Sequence, residues 1–127
     1  MPTANATFKI ASWNEEPYAT EPQKLTQAKV DRTFEGDLEG ESRTEYLMAY
    51  GTGDASFVGH ERFTGKLGGK EGSFVFQREG TAGAYGVRER FFIVPGSGTG
   101  ELEGISGKGT WESGHAESYP ISFEYEL

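Results

Sequence analysis

The stretch from Phe57 to Ile93, FVGHERFTGKLGGKEGSFVFQREGTAGAYGVRERFFI, alternates large apolar and polar residues around two corners built from small residues. A period of two cannot make an amphipathic helix; it sends successive side chains to opposite faces of a strand. The corners Gly68-Gly69 and Ala82-Gly83 suit tight hairpin turns, which need positive φ. Three consecutive antiparallel strands are therefore predicted. Pairing outward from the corners sets Phe63 opposite Phe74, Glu61 opposite Phe76, Phe76 opposite Glu89 and Phe74 opposite Phe91.

One face of this unit collects Phe57, Phe63, Phe74, Phe76, Tyr85, Val87, Phe91 and Ile93. The other collects His60, Arg62, Thr64, Ser73, Gln77, Arg88 and Arg90, a solvated pattern. The apolar face also carries Glu61, Arg78 and Glu89. Gly59 is read as lying on the outer side.

The rest of the chain repeats the pattern. Ala6–Trp13 reads as a first strand with Phe8 and Ile10 on one side. Asn14–Gln23 (NEEPYATEPQ), with two prolines and several acids, reads as a loop and a candidate lid or rim. Leu25–Leu38 is a long second strand with Ala28, Val30, Arg32 and Phe34 on one face, and a turn at Glu39-Gly40-Glu41 leads to Ser42–Tyr50. There Tyr46, Met48 and Tyr50 line up, and a hairpin loop at Gly51-Thr52-Gly53-Asp54 sets Met48 opposite Phe57 and Thr44 opposite Glu61.

After Val94 the tract PGSGTGELEG reads as a flexible loop. Ile105–Glu112 is the seventh strand and Glu117–Leu127 the eighth, with a turn near Ser113-Gly114 between them. Tyr119, Ile121, Phe123 and Tyr125 share a face of the last strand. A three-residue turn brings Gly107 and Gly109 beside Ile121 and Tyr119, small against large. Residues 1–127 thus form one all-β domain of about eight antiparallel strands in up-and-down order. Eight such strands can close into a barrel, which removes both sheet edges and encloses either packed side chains or one small ligand.

Charge and composition remove several functions. The net charge of −8 is spread along the chain and disfavours nucleic acid and anionic membranes, which need basic patches. With no cysteine, disulfides and thiolate chemistry are out. The start, MPTANATFKI, lacks the pattern of a secretory signal, and no apolar run is long enough for a helical membrane span, so the expected location is cytoplasmic. His60 and His115 read as surface histidines and no metal site is expected. PGSGTG lacks the Gly-Lys-Ser/Thr and the helix of a phosphate loop, and no serine sits in a nucleophile elbow. Trp13 and Trp111 read as core or rim residues, with stacking on a ligand the alternative for either.

The charges on the apolar face carry the chemistry. Selection for stability alone would place leucine or phenylalanine at Glu61, Arg78 and Glu89, because even a good buried ion pair barely repays its desolvation. Two carboxylates against one guanidinium leave one excess negative charge. Either Arg32 neutralises it from across the lumen or one glutamate has a raised pKa.

Several segments together resemble a known family: Glu45 to Tyr50, Ala55 to Gly59, Glu61-Arg62, Gly65, Leu67-Gly68-Gly69, Gly72 to Val75, Gln77, and Val94 to Leu102. They are similar to small bacterial proteins of unknown function built on an allene oxide cyclase-like barrel. The resemblance implies an eight-stranded antiparallel barrel with a cavity, usually in a homo-oligomer. The same architecture serves plant allene oxide cyclases, dirigent proteins and bacterial polyketide cyclases, whose apolar cavities fold a reactive substrate. No activity comes with the bacterial family, and none of the cyclases' functional residues aligns with a motif here. His60 departs from the aliphatic residue expected at its position.

Three expectations follow. In the first, the barrel binds a small apolar or aromatic organic molecule, with Glu61, Arg78, Glu89 and Arg32 as polar contacts. Its walls are Tyr46, Met48, Tyr50, Phe57, Phe63, Phe74 and Phe76, with Tyr85, Phe91, Tyr119 and Phe123 completing them. In the second, the barrel is a cofactor-independent cyclase or isomerase in which Glu61 or Glu89 is the catalytic acid or base. In the third, the lumen is fully plugged and structural.

Overall fold

The computed structural model describes residues 2–114 and 116–127; His115 lies outside the described residues. The strands are β1 (Thr3–Ala19), β2 (Lys24–Gly36), β3 (Leu38–Tyr50), β4 (Ala55–Leu67), β5 (Lys70–Gly83), β6 (Gly86–Ile93), β7 (Thr99–Gly100), β8 (Ser106–Ser113) and β9 (Tyr119–Glu126). β7 is a two-residue ladder on β5. The other eight form a closed antiparallel barrel, each pairing with the next and β9 closing on β1 through Ala6↔Ile121 and its neighbours. No helix occurs among the described residues.

The β3–β4–β5 registers are those predicted: Met48↔Phe57, Thr44↔Glu61, Glu61↔Phe76 and Phe63↔Phe74. The β5–β6 hairpin differs. Its turn falls at Ala84-Tyr85, so Phe76 pairs with Ile93 and Glu89 with Gly80. The slip is four in the sum of partner numbers, an even value, so no side chain changes face. Tyr85 is the exception: it stands at the turn tip, fully exposed, and takes no part in lining the lumen. The β8–β9 hairpin shows the same even slip, with Gly107 opposite Tyr125. A Cβ on Gly109 would meet Phe91 Cζ at 2.7 Å and Phe123 Cβ at 3.0 Å. Small against large holds there, with other partners.

Three further boundaries move. The β2–β3 reversal is at Gly36-Asp37, where Asp37 takes the Asn5 amide on its carboxylate and the Gly68 amide on its carbonyl. Leu38, buried completely, must already face inward, and Gly40 lies within β3 opposite Phe34 and Gly65. Asn14–Ala19 is strand, paired with β2, whereas the sequence suggests loop. Above Phe8, β1 pairs among the described residues with β2 alone, so Pro17 loses no ladder bond on the open edge. The tract after Val94 packs across one end of the barrel instead of hanging free: Leu102 and Ile105 are buried, and the Leu102 amide donates to Thr99 O at 3.0 Å.

The outward positions are as expected: His60, Arg62, Thr64, Gln77, Arg88 and Arg90 are exposed and Ser73 is half-buried.

Candidate functional site

The interior is divided into layers. At the base, Phe34, Phe63, Phe74, Phe76, Phe91 and Phe123 pack with Leu38, Leu67, Leu102, Ile93, Ile105 and Ile121 in one apolar cluster that fills that half of the lumen. A second cluster, Ala28, Val30, Tyr46, Met48, Ala55 and Phe57, lines the other half. Between them runs a buried polar belt: Arg32, Ser42, Thr44, Glu61, Arg78 and Glu89.

Each member is placed by strand alternation, and the belt crosses β2 to β6. Arg78 Nε donates to Glu61 Oε1 at 2.6 Å, and its Nη1 donates to Glu89 Oε1 at 2.5 Å. The guanidinium also lies 4.9 Å from the Phe76 ring and 4.7 Å from the Phe91 ring. The second Glu61 oxygen accepts from Ser42 Oγ and faces Arg32 Nη1 at 3.6 Å. Arg32 donates through Nη1 to Thr44 Oγ1 at 2.7 Å and through Nη2 to the Tyr46 hydroxyl at 2.9 Å. Its Nε is shut off from solvent with no acceptor among the described residues, and the guanidinium lies 5.3 Å from the Phe8 ring.

Arg32 thus stands beside Glu61 as a second cation, and the two acids feel the belt differently. Burial pushes the Glu61 carboxyl up, but Arg78, Arg32 and the Ser42 hydroxyl outweigh it and hold it below its ordinary value. Burial also pushes Glu89 up, and there Arg78 and Arg32 offset it incompletely, so Glu89 stays raised. The two acids are pulled apart by one network.

Above the belt is a chamber of about 360 Å³. Arg32, Glu89 and Glu15 are the charged members of its lining, with Tyr46, Met48, Tyr50, Phe57 and Tyr119 among its walls, as the sequence suggests. Glu61 and Arg78 lie in the belt without lining it, and Phe63, Phe74, Phe76, Phe91 and Phe123 belong to the plug beneath. The walls also include Phe8, Ile10, Trp13, Glu15, Val87 and Trp111. A larger groove, about 700 Å³, crosses the outer face by Gln77, Phe92 and Lys108, and the Glu79–Arg90 ion pair along it is solvent-exposed.

Glu15 is the residue that sequence reasoning misses, because its segment reads as loop. β1 skips a register step between Ile10↔Arg32 and Ser12↔Asp31, a bulge that turns Trp13 and Glu15 inward where even-numbered residues faced in before. Glu15 accepts from Trp13 Nε1 at 3.1 Å, from Thr26 Oγ1 at 2.7 Å and from the Tyr50 hydroxyl. Partial burial pushes its carboxyl up, but these bonds hold it below the ordinary value. Both oxygens of the rim acid are thus engaged. The one readable signal was that Trp13, Glu15 and Pro17 alternate after a break at Ala11.

Gly59, which the sequence suggests is outer, shares the inward face of Glu61 and lies opposite Tyr46. A Cβ there would sit 2.6 Å from both Tyr46 Cδ1 and Glu45 O. Bare backbone is what lets the Tyr46 ring cross the strand and reach Arg32. Gly59→Ala is expected to cost about 1–3 kcal/mol in urea unfolding through this overpacking. A cost below about 0.5 kcal/mol would show that Tyr46 moves freely.

No group of three or more potential metal-ligating side chains gathers anywhere among the described residues. Residues 4–125 match a family described as "Protein of unknown function (DUF3224)". A crystal structure of a protein with unknown function from the DUF3224 family of Shewanella oneidensis MR-1 superposes with a TM-score of 0.78. It is 32% identical, over 99% of this chain and 98% of that one. None of the curated proteins matches the sequence.

Proposed function

The chain belongs to the DUF3224 family, whose function is unknown, and from the chamber above its polar belt we propose that it binds a small apolar or aromatic organic molecule. The observation that carries this is the asymmetry of the lumen. One half is packed solid with aromatic rings, while the other keeps about 360 Å³ open above buried charges. That volume is at the small end of the roughly 300–1,000 Å³ typical of ligand sites. A barrel selected for stability alone would fill it, since unfilled apolar volume costs contact energy.

The test is a thermal-shift screen with soluble aromatic and apolar compounds on the wild type and on Ala55→Trp. Ala55 is a buried chamber wall, and an indole there occupies the space. A ligand at a hundredfold its Kd should stabilise the wild type by about 2.7 kcal/mol and leave Ala55→Trp unmoved. A screen in which nothing raises the melting temperature of the wild type removes the proposal.

Proton-transfer catalysis of the cyclase or isomerase type is the second reading, favoured by the geometry of Glu89. One of its oxygens is fixed by Arg78, the side chain lines the chamber, and its pKa is raised toward the range of a general acid or base. Glu61 is walled off beneath it. Glu89→Gln should then abolish turnover of a bound substrate while leaving much of the affinity; unchanged turnover eliminates this reading.

A further inference from the structure

Resting on the chamber as a binding site, we propose that its ligand is a neutral aromatic molecule of one or two rings carrying a hydroxyl or ring N–H, which it donates to Glu89. Glu89 is 7% exposed, and one carboxyl oxygen is held by Arg78 Nη1 at 2.5 Å. The other oxygen has no hydrogen-bond partner among the described residues, yet it is not sealed from solvent as Arg32 Nε is. Glu89 is the acid of the belt that lines the chamber. A nearly buried carboxyl oxygen with no donor is costly, and a ligand O–H or N–H removes that cost.

The surrounding charges choose among ligand classes. An anion would meet two carboxylates in the lining, Glu89 and Glu15. The guanidinium that could offset them, Arg32, is already spent on Thr44, Tyr46 and Glu61, with its Nε inaccessible. A cation would meet a Glu89 charge already countered by Arg78 and a Glu15 carboxylate already taking three hydrogen bonds, with Arg32 alongside. A neutral donor suffers neither repulsion and loses less hydration on entry. A hydroxyl also fits either state of Glu89, donating to the carboxylate or accepting from the protonated acid. The aromatic preference comes from the walls: the rings of Phe8, Trp13, Tyr46, Phe57, Trp111 and Tyr119 surround the space.

The deciding experiment is calorimetric titration of the full chain with naphthol, its methyl ether, naphthoate and naphthylmethylammonium. Naphthol should bind at least tenfold tighter than the ether, and both ions more weakly still. In Glu89→Leu the naphthol and the ether should become equal; if that variant does not fold, Glu89→Gln should still narrow the gap at least threefold. Equal affinity of naphthol and ether for the wild type overturns the donor assignment while leaving the chamber a binding site. Naphthoate binding tightest overturns it in favour of an anion on Arg32. Failure of all four probes to bind overturns both this assignment and the binding reading it rests on.

Discussion

Replacing Glu61 by leucine is expected to destabilise the barrel by about 3–5 kcal/mol, although it removes a buried charge from an apolar interior. Glu61 is completely buried and is the acid that Arg78 and Arg32 share. Without it, two buried guanidiniums face Glu89 alone, and the Ser42 hydroxyl loses its acceptor. Desolvation already spent on the cations is then uncompensated. The double variant Glu61→Leu/Arg78→Met should recover much of the loss, because Arg32 keeps Thr44 and Tyr46, and Glu89 can protonate. Urea unfolding of the two single variants and the double variant measures the coupling directly. A single-variant cost under about 1 kcal/mol, or strict additivity, would mean that the belt is not one network.

The same belt predicts two opposite pH slopes. Glu61 is lowered in the fold, so the unfolded chain binds its proton first as pH falls. Its stabilisation is present above the ordinary glutamate pKa and lost below it as pH drops toward the folded value. Glu89 is raised, so the folded state holds its proton more tightly, and stability declines as pH climbs from the ordinary value to the raised one. Glu89→Gln should flatten the melting-temperature profile across that upper window while preserving the acid-side loss. Glu61→Leu should weaken the acid-side loss. A Glu89→Gln profile parallel to the wild type throughout would show that Glu89 does not titrate abnormally.

Much of this was readable because side-chain alternation survives errors in the turns. The Ala84-Tyr85 turn and the β8–β9 hairpin both differ from the expected positions by an even slip, so Arg78, Glu89, Phe91 and Phe123 still point inward. Only Tyr85, at the tip, had its fate set by the turn itself. β1 failed for the opposite reason. The bulge at Ala11 inserts an odd number of residues, and that flips Trp13 and Glu15 into the chamber. Prolines and acids at 14–23 masked an edge strand, since proline is tolerated there for want of a second partner. The split between plug and chamber was not legible either. It depends on how far up the barrel each phenylalanine stands, and a period of two says which face a residue takes but nothing about depth.

That split has a consequence large enough to test on its own. Phe76→Ala is expected to cost about 3–5 kcal/mol, the range for emptying a fully packed aromatic site. Phe76 has no exposed surface, and its ring meets Phe74, Phe91 and Phe123 edge-on at centroid distances of 5.0, 5.3 and 5.5 Å. The Arg78 guanidinium lies 4.9 Å from it, so the cation also loses a ring that helps make its burial tolerable. Phe57→Ala is the matched control. Phe57 is 6% exposed, packs edge-on against Tyr46 at 5.1 Å and borders the open chamber, so fewer contacts vanish with its ring. Its cost should be smaller, and its main effect should be a changed response to aromatic probes. Phe76→Ala should do the reverse, lowering the urea midpoint while leaving probe affinities within about twofold, a change worth only ~0.4 kcal/mol. If Phe76→Ala changes probe binding as much as Phe57→Ala does, the belt does not insulate the chamber from the plug, and the two halves of the lumen must be treated as one cavity.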